Sequence, residues 1–394
     1  MMILPALVLA CLGAVLYSYL VYPLVLFVLG AAVQGRRDAA RVFRKTERRA
    51  TLKQGELPRV AIVISAFNEE RHIGERIANL LALDYPADRW CGYIGSDGSR
   101  DATGSILSAC DDSRIRAFVF EQNRGKANVL NDLVSRTQEE LIVFSDANTF
   151  FEPGALRRLV APFQDPGVGG VSGELRLAGS AGDNQDSLYW RIEQFLKFFE
   201  ARIGGLLGAN GAIYAIRRAA WKPLRPDTIC DDFCVAMNVA AAGQRLVYEP
   251  SAWAEEATPD AIGEEYRRRV RIGIGNFQAL CRHPEYLLRT SPGTAFAYLS
   301  HKVLRWIAPH LLLLALLGSA WLGLDSMAWR VFALLQLLGY LGAAGLFAAS
   351  VKGLRLPGLL RLPAFLFALN WAFLVASLRY ASGRYSGSWR RSSR

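Results

Sequence analysis

The chain has 394 residues, enough for two domains, and 52% of them are hydrophobic, with the longest apolar runs near the two ends. Its net charge is +11, but the bases cluster beside apolar runs and no aromatic-basic groove accompanies them, which argues against nucleic acid as a partner. None of the six cysteines forms a CxxC pair and the four histidines add no zinc spacing; buried thiols in a reducing compartment fit better than a zinc module.

Residues 3–33 are apolar and uncharged, long enough to cross a bilayer with tilt, and lack the basic start of a signal peptide. Residues 1–33 therefore read as a transmembrane anchor. Residues 34–57 read as a basic interfacial connector. It carries Arg36, Arg37, Arg41, Arg44, Lys45, Arg48, Arg49 and Lys53, a positive-inside signal and a contact for anionic membrane lipids; a solvated linker is the alternative. Residues 58–255 alternate strand-like and helix-like runs. Residues 256–300 form an Arg-rich amphipathic collar with breaks at Pro284 and Pro292. Residues 301–380 carry three more apolar runs, at 306–324, 331–350 and 362–378, and residues 381–394 are a basic tail. The segment from His301 to Trp306 mixes basic and aromatic residues, as an interface anchor does. If the connector is cytosolic, a fourth full span would place Arg379, Arg384, Arg390, Arg391 and Arg394 outside. Either the tail departs from the positive-inside rule or 362–378 is re-entrant or interfacial.

Three strand-like runs between residues 60 and 148 each end in a polar cluster. The first ends at Asn68, Glu69 and Glu70, the second at Asp97, Gly98, Ser99 and Asp101, the third at Asp146 and Asn148. Helix-like segments join the runs, which predicts a parallel α/β sheet. Ligands of such sheets gather beyond the carboxyl ends of the strands, where these carboxylates fall. Acids there suit a ligand with sugar hydroxyls and a metal-borne charge. Each cluster also has a plain structural reading: Asn68 as a helix cap, Asp97-Gly98 as a turn, Asp146 as a strand-end turn; Lys126, between the second and third, reads equally as an exposed turn lysine. Residues 189–200 form an aromatic-rich amphipathic helix with Glu193, Lys197 and Glu200 on one face. A packed helix with surface ion pairs is one reading of it, and a wall of an acceptor channel is the other.

Together with Arg124-Gly125-Lys126, Gly208-Ala209-Asn210-Gly211-Ala212, Asp231-Asp232 and Arg268-Arg269-Val270-Arg271, these clusters resemble the family 2 glycosyltransferases over residues 58–278. By pattern the membrane polysaccharide synthases are the nearest: hyaluronan, chitin-oligosaccharide and poly-N-acetylglucosamine synthases. The resemblance implies an α/β fold with a GT-A-like nucleotide-sugar-binding domain and a mainly parallel sheet, flanked by transmembrane and interfacial helices. It implies donor contacts at Asn68, Glu69, Asp97, Gly98, Lys126, Asp146, Arg268 and Arg271. It places the acceptor near Gly208, Asn210 and Gly211, with Trp253 as a further aromatic candidate. Asp146-Ala147-Asn148 stands where the family has Asp-x-Asp, so Asp146 and Asn148 are the expected ligands of Mg2+ or Mn2+, with an amide in place of the second carboxylate. Asp231-Asp232 stands at the position of the base, and the second acid, Asp232, is the expected one. Arg271 matches the Arg of Gln-x-x-Arg-Trp, with Arg268 in place of Gln and Ile272 in place of Trp. The expected activity is inverting transfer from a UDP-sugar to a polysaccharide or lipid-linked acceptor, at the plasma (inner) membrane with the catalytic domain cytosolic. A processive synthase that extrudes its polymer is the alternative, and a transporter or sensor with a cytosolic regulatory domain is the non-enzyme rival. No GxGxxG follows the first strand, against a dinucleotide oxidoreductase.

Overall fold

The computed structural model describes residues 3–44, 57–178, 185–257, 262–354 and 356–385. The connector residues Lys45, Arg48, Arg49 and Lys53 and the tail arginines Arg390, Arg391 and Arg394 lie outside the described residues.

Strand β1 (Val60–Ala66) is the hub of an eight-stranded sheet. Its residues Val60 to Ile64 are fully buried, as a strand covered on both faces requires. It pairs in parallel with β2 (Trp90–Asp97) on one side and β4 (Leu141–Asp146) on the other, and β2 pairs in parallel with β3 (Ile115–Phe120). Helices α3 (Ile73–Leu81), α4 (Thr103–Ser108) and α5 (Lys126–Ser135) make the crossovers. The register sets Ala66 opposite Ser96 and Ser65 opposite Asp146. The carboxyl ends of β1, β2 and β4 therefore finish at one edge, and all three polar clusters meet there.

Beyond β4 the sheet is mixed. Strand β7 (Tyr214–Arg217) runs antiparallel to β4, β6 (Val168–Ala178) antiparallel to β7, and β8 (Arg245–Ala257) parallel to β6. The short β5 (Thr149–Phe151) closes the edge antiparallel to β8, giving the order β3-β2-β1-β4-β7-β6-β8-β5. One apolar core joins the sheet to α5 and α8 (Asp231–Ala241), and a second, on the opposite face, holds α3 and α6 (Ala155–Val160).

Among the described residues four helices are long and apolar enough to cross a membrane: Ile3–Ala40, Pro292–Leu322, Met327–Val351 and Gly358–Ala381. The first combines α1 (Ile3–Leu16), a π turn (Tyr17–Val21) and α2 (Tyr22–Arg44), so the helix continues past residue 33 into the expected connector. After α7 (Gln185–Arg202), α9 (Ile262–Arg282) and α10 (Glu285–Leu288), the second candidate span combines α11 (Pro292–Ala297), a π turn (Tyr298–Val303) and α12 (Leu304–Leu322). The two π turns dock on one another: Ser18 Oγ donates to the Ser300 carbonyl at 2.9 Å, and Tyr17 Oη lies 3.0 Å from Ser300 Oγ. Widening a helix frees its backbone for such a contact. Leu334, Leu335, Leu338 and Leu341 on α13 (Met327–Val351) are exposed, as lipid-facing residues would be. The apolar run 362–378 lies within α14 (Gly358–Ala381), which is long and apolar enough to cross a membrane.

Candidate active site

The first two strand ends are laced together. Asn68 adopts a left-handed backbone (φ 54°), which asparagine tolerates. Its N–H donates to Ser99 Oγ at 3.1 Å, and its Oδ1 accepts from the Arg100 N–H at 2.9 Å. Glu69 is buried; its N–H donates to Thr103 Oγ1 at 2.7 Å and its Oε2 lies 3.0 Å from His72 Nδ1. Gly98 has φ +65°, and a Cβ there would meet the Asn123 nitrogen at 2.3 Å, so only glycine lets the two loops close.

Asp97 is buried and accepts the Arg124 N–H at 2.8 Å and the Gly125 N–H at 2.9 Å. It thereby fixes the turn that opens α5 and aims Lys126. The Lys126 ammonium stands 2.8 Å from Asp146 Oδ1 and 3.2 Å from Asp231 Oδ2. Burial pulls that ammonium down, but Asp146, Asp231 and Asp232 outweigh it and hold its pKa above the usual lysine range. Three motifs far apart in sequence thus converge on one cation.

Asp231 and Asp232 sit in the first turn of α8, where the helix dipole favours acids. Asp231 is buried, and Asp232 Oδ1 accepts the Phe233 N–H at 2.8 Å. Burial, and then the neighbouring Asp231, push the Asp232 carboxyl up to about 6, with Lys126 opposing. Gly211 faces this carboxylate: a Cβ there would stand 3.2 Å from Asp232 Oδ2. The loop that carries it is fixed by the Asn210 N–H donating to Ser172 Oγ at 3.0 Å, and Gly208 packs against the Phe233 ring.

Asn148 donates from Nδ2 to Glu256 Oε1 at 2.9 Å, which commits the amide nitrogen and leaves its oxygen as the atom offered to a cation. Among the described residues no group of three or more His, Cys, Asp or Glu is placed to hold a metal ion. The Asp146 carboxylate and the Asn148 amide oxygen are hard donors. They fit a divalent ion of the kind that takes one or two protein ligands and fills its shell from substrate phosphates.

Helix α9 is clasped to the segment before α8. Gln278 accepts the Ile229 N–H at 3.2 Å and donates to the Asp227 carbonyl at 3.1 Å, and Arg282 grips the Asp227 carboxylate at 2.7 and 3.0 Å. Arg271 reaches Cys230 electrostatically: burial, then Asp232, push that thiol up, and Arg271 opposes them. Arg268 stands on the same face one turn earlier and is exposed. Ile272 is exposed too. Trp253, opposite Glu174 in the sheet, has one ring face covered by the Arg176 guanidinium at 4.2 Å.

Two site residues have no motif to announce them. Arg76 is fully buried and donates to Ser145 Oγ at 2.9 Å beneath Asp146; burial lowers its pKa to about 9 against the pull of Asp146. In the sequence it interrupts the apolar stripe Ile73, Ile77, Leu80, which is the signal that was there to read. Tyr214 stacks on Phe144 at 4.8 Å, and its buried hydroxyl has no hydrogen-bond partner among the described residues. Burial, then Asp231, Asp232 and Asp146, raise that hydroxyl well above its usual pKa, so it faces the acid cluster.

A profile of the family described as Glycosyltransferase like family 2 matches residues 58–275, more than half of the chain, and the chain belongs to that family. It is similar to the poly-beta-1,6-N-acetyl-D-glucosamine synthase of Staphylococcus aureus (strain COL), 26% identical over 238 residues that cover 58% of this chain and 57% of the relative. The synthase of Staphylococcus epidermidis is also 26% identical, over 231 residues covering 57% of this chain and 56% of that one. The chain thus spans a little over half the length of these relatives. Among solved structures, the mannosyltransferase PcManGT from Pyrobaculum calidifontis, in complex with GDP-Man and Mn2+, shares the fold with a TM-score of 0.69 at 20% identity, covering 97% of this chain and 100% of that one.

Proposed function

We propose that this transferase moves a sugar from a UDP-sugar to a polysaccharide or lipid-linked acceptor, with inversion, at the plasma membrane, its catalytic domain cytosolic. We read residues 58–255 as that domain, 1–33 as an anchor, 34–57 as an interfacial connector, 256–300 as an interfacial collar, 301–380 as further membrane segments and 381–394 as a tail. The observation that carries the activity is the meeting of Lys126, Asp146 and Asp231 beside Asp232.

In this reading Asp232, ionised, accepts the proton of the acceptor hydroxyl as its oxygen bonds to the anomeric carbon. The diphosphate departs from the opposite face, which inverts the centre. Lys126 stabilises the charge that develops on it. Asp146 and Asn148 would hold Mg2+ or Mn2+, which supplies further neutralisation of the leaving diphosphate. Asp97 keeps Lys126 aimed, and Gly211 leaves room for the acceptor against the base. The similarity to poly-N-acetylglucosamine synthases supports a UDP-sugar donor and an exopolysaccharide or glycolipid setting.

The test is to incubate the purified full chain, in lipid, with a panel of radiolabelled UDP-sugars and with GDP-mannose, and to size the product. Transfer from a UDP-sugar supports the reading. Transfer from GDP-mannose alone, or UDP affinity no better than NAD affinity by calorimetry, sinks it.

A further inference from the structure

Helix α3 carries one charge on its buried face. Ile73, Ile77 and Leu80 line the apolar core there, and Arg76, fully buried, stands among them. Strand β4 alternates its side chains across the sheet. Leu141 and Val143 enter the core of α3, Ile142 and Phe144 enter the core of α5, and Ser145 and Asp146 continue that alternation. The guanidinium therefore meets Ser145, while the Asp146 carboxylate turns to the other face, where Lys126 meets it.

Three contacts fix the guanidinium. Nη2 donates to Ser145 Oγ at 2.9 Å, Nη1 donates to Asn79 Oδ1 at 2.6 Å, and Cζ lies 4.3 Å from the centre of the Phe151 ring. Both acceptors pass the contact on. Ser145 Oγ donates to the Ala212 carbonyl at 2.7 Å, and Ala212 follows Gly211, which faces Asp232. Asn79 brackets the Phe151 backbone: it accepts the N–H at 2.8 Å and donates to the carbonyl at 2.8 Å. Phe151 ends β5, which begins at Thr149, directly after Asn148. The arginine thus holds the residue before the Asp146-Ala147-Asn148 turn, the strand after it, and the loop that faces Asp232.

Stability does not account for this residue. A buried guanidinium is costly unless a carboxylate pairs with it. Among the described residues Arg76 has no carboxylate within ion-pairing distance and its Nε has no hydrogen-bond partner; Asp146, across the sheet, is the acid that offsets its burial. A methionine would fill a similar length of core. It would orphan neither acceptor, since Asn79 Oδ1 keeps the Phe151 N–H and Ser145 Oγ keeps the Ala212 carbonyl. Nor would the charge of Arg76 help hold a cation at Asp146, because like charges repel. Geometry is what the arginine supplies: one rigid fork tied to two loops that come from opposite sides of the site.

We propose that Arg76 is a positioning residue for sugar transfer: through Ser145 and Asn79 it keeps the turn 146–148 and the loop 210–212 in one register, so that the donor side and the base side of the site meet. The inference rests on the glycosyl-transfer reading, in which Asp146 and Asn148 serve the donor and Asp232 serves the acceptor.

The experiment compares the full chain in lipid as wild type, Arg76→Met, Ser145→Ala and the double variant. Three quantities are read: turnover on whichever UDP-sugar of the panel is transferred, Mn2+-dependent UDP affinity by calorimetry, and melting temperature. Arg76→Met should melt at or above wild type. It should nonetheless lose at least about tenfold in kcat and about tenfold in UDP affinity, the scale for removing a group that orients a metal ligand. Ser145→Ala keeps the guanidinium but cuts the bridge, and should show the same two losses. The double variant should be no worse than the poorer single one, as two residues acting as a unit require. Wild-type turnover and affinity in either single variant overturn the proposal. So does a rise in UDP affinity in Arg76→Met, which would make the role one of charge, and so do losses that add in the double variant. A melting temperature well below wild type in Arg76→Met, or failure to fold, makes the residue structural and overturns it as well. A wild type that binds no UDP removes the glycosyl-transfer reading and the proposal together, whereas a wild type that transfers sugar and variants that match it remove the proposal alone.

Discussion

Gly211 and Asp232 are packed face to face, with 3.2 Å between the place of a Cβ on the glycine and Oδ2 of the acid. A methyl group there is tolerated only if the carboxylate gives way by a few tenths of an ångström. Gly211→Ala should therefore fold and bind UDP, yet lose about tenfold or more in kcat, since small misplacements of a reacting group are costly. Gly275→Ala is the contrast. Its Cβ would meet Cys230 Sγ at 2.5 Å and the Cys230 backbone nitrogen at 3.1 Å, so it should lower the melting temperature as well. Unchanged turnover in Gly211→Ala would mean that the position of the Asp232 carboxylate is unimportant.

Asp232→Asn should leave UDP binding nearly intact and cut turnover by at least about a hundredfold, the low end for loss of a general base. Asp231→Asn should do less, and reversed effects would move the base to Asp231. The pH profile adds a check. Burial and Asp231 hold the Asp232 carboxyl at about 6, and a base works ionised. Turnover should rise with pH through about 6 and level off above it. Removing the Asp231 charge should shift that midpoint downward.

Chelation should stop transfer, and Asp146→Ala should abolish metal-dependent UDP binding. Full activity in excess chelator removes the metal from the mechanism. Asn148→Asp adds a formal charge where an amide oxygen is offered, so Mn2+ titration should show tighter binding. An unchanged affinity takes Asn148 out of the coordination shell.

Tyr214→Phe removes a buried hydroxyl with no protein partner. Its melting temperature should equal or exceed that of wild type, because no hydrogen bond is lost. A drop of several degrees would reveal a partner for that hydroxyl in the folded protein.

Product length tests the absence of the family's tryptophan. Ile272 offers aliphatic contact but no ring face for a sugar. Short, discrete products are expected, with length rising as the enzyme-to-acceptor ratio rises. High-molecular-weight polymer made early, while most acceptor is unused, would falsify this.

The parallel half of the sheet was legible because β1, β2 and β4 are apolar runs ended by polar clusters, and their helices announce the crossovers. Of the mixed half, the short apolar run ending at Arg217-Arg218 reads as a strand, and the pairing of the others does not show. Strand β7 has four residues, β6 opens on glycines and β8 contains Pro250, so their local patterns are weak and their pairing is long-range. Motifs named Asp97, Lys126, Asp146, Asp231 and Asp232, and these do come together. Asn68 and Glu69 are tied instead to the loop after β2, through Ser99, Arg100 and Thr103. Glu193 and Glu200 looked like acids of surface ion pairs because their partner His301 comes from a helix more than a hundred residues later. Residues 301–306, expected only as an interface anchor, also supply Lys302 and Arg305 to that buried cluster.

Helix α9 is held at both flanks. On one it is tied to the chain that leads into Asp231 through Gln278 and Arg282. On the other, Gly273 approaches the membrane helix α14 so closely that a Cβ would meet Ala376 at 2.7 Å, and Arg269 rests over Phe365 at 4.8 Å. Such a helix acts as a lever. If α14 crosses the bilayer, a tilt that matches a thinner or thicker hydrocarbon layer would be passed through these contacts to α9, which carries Arg271. On that reading turnover should vary with the hydrocarbon thickness of the host bilayer, a dependence that an assay in a single detergent would miss.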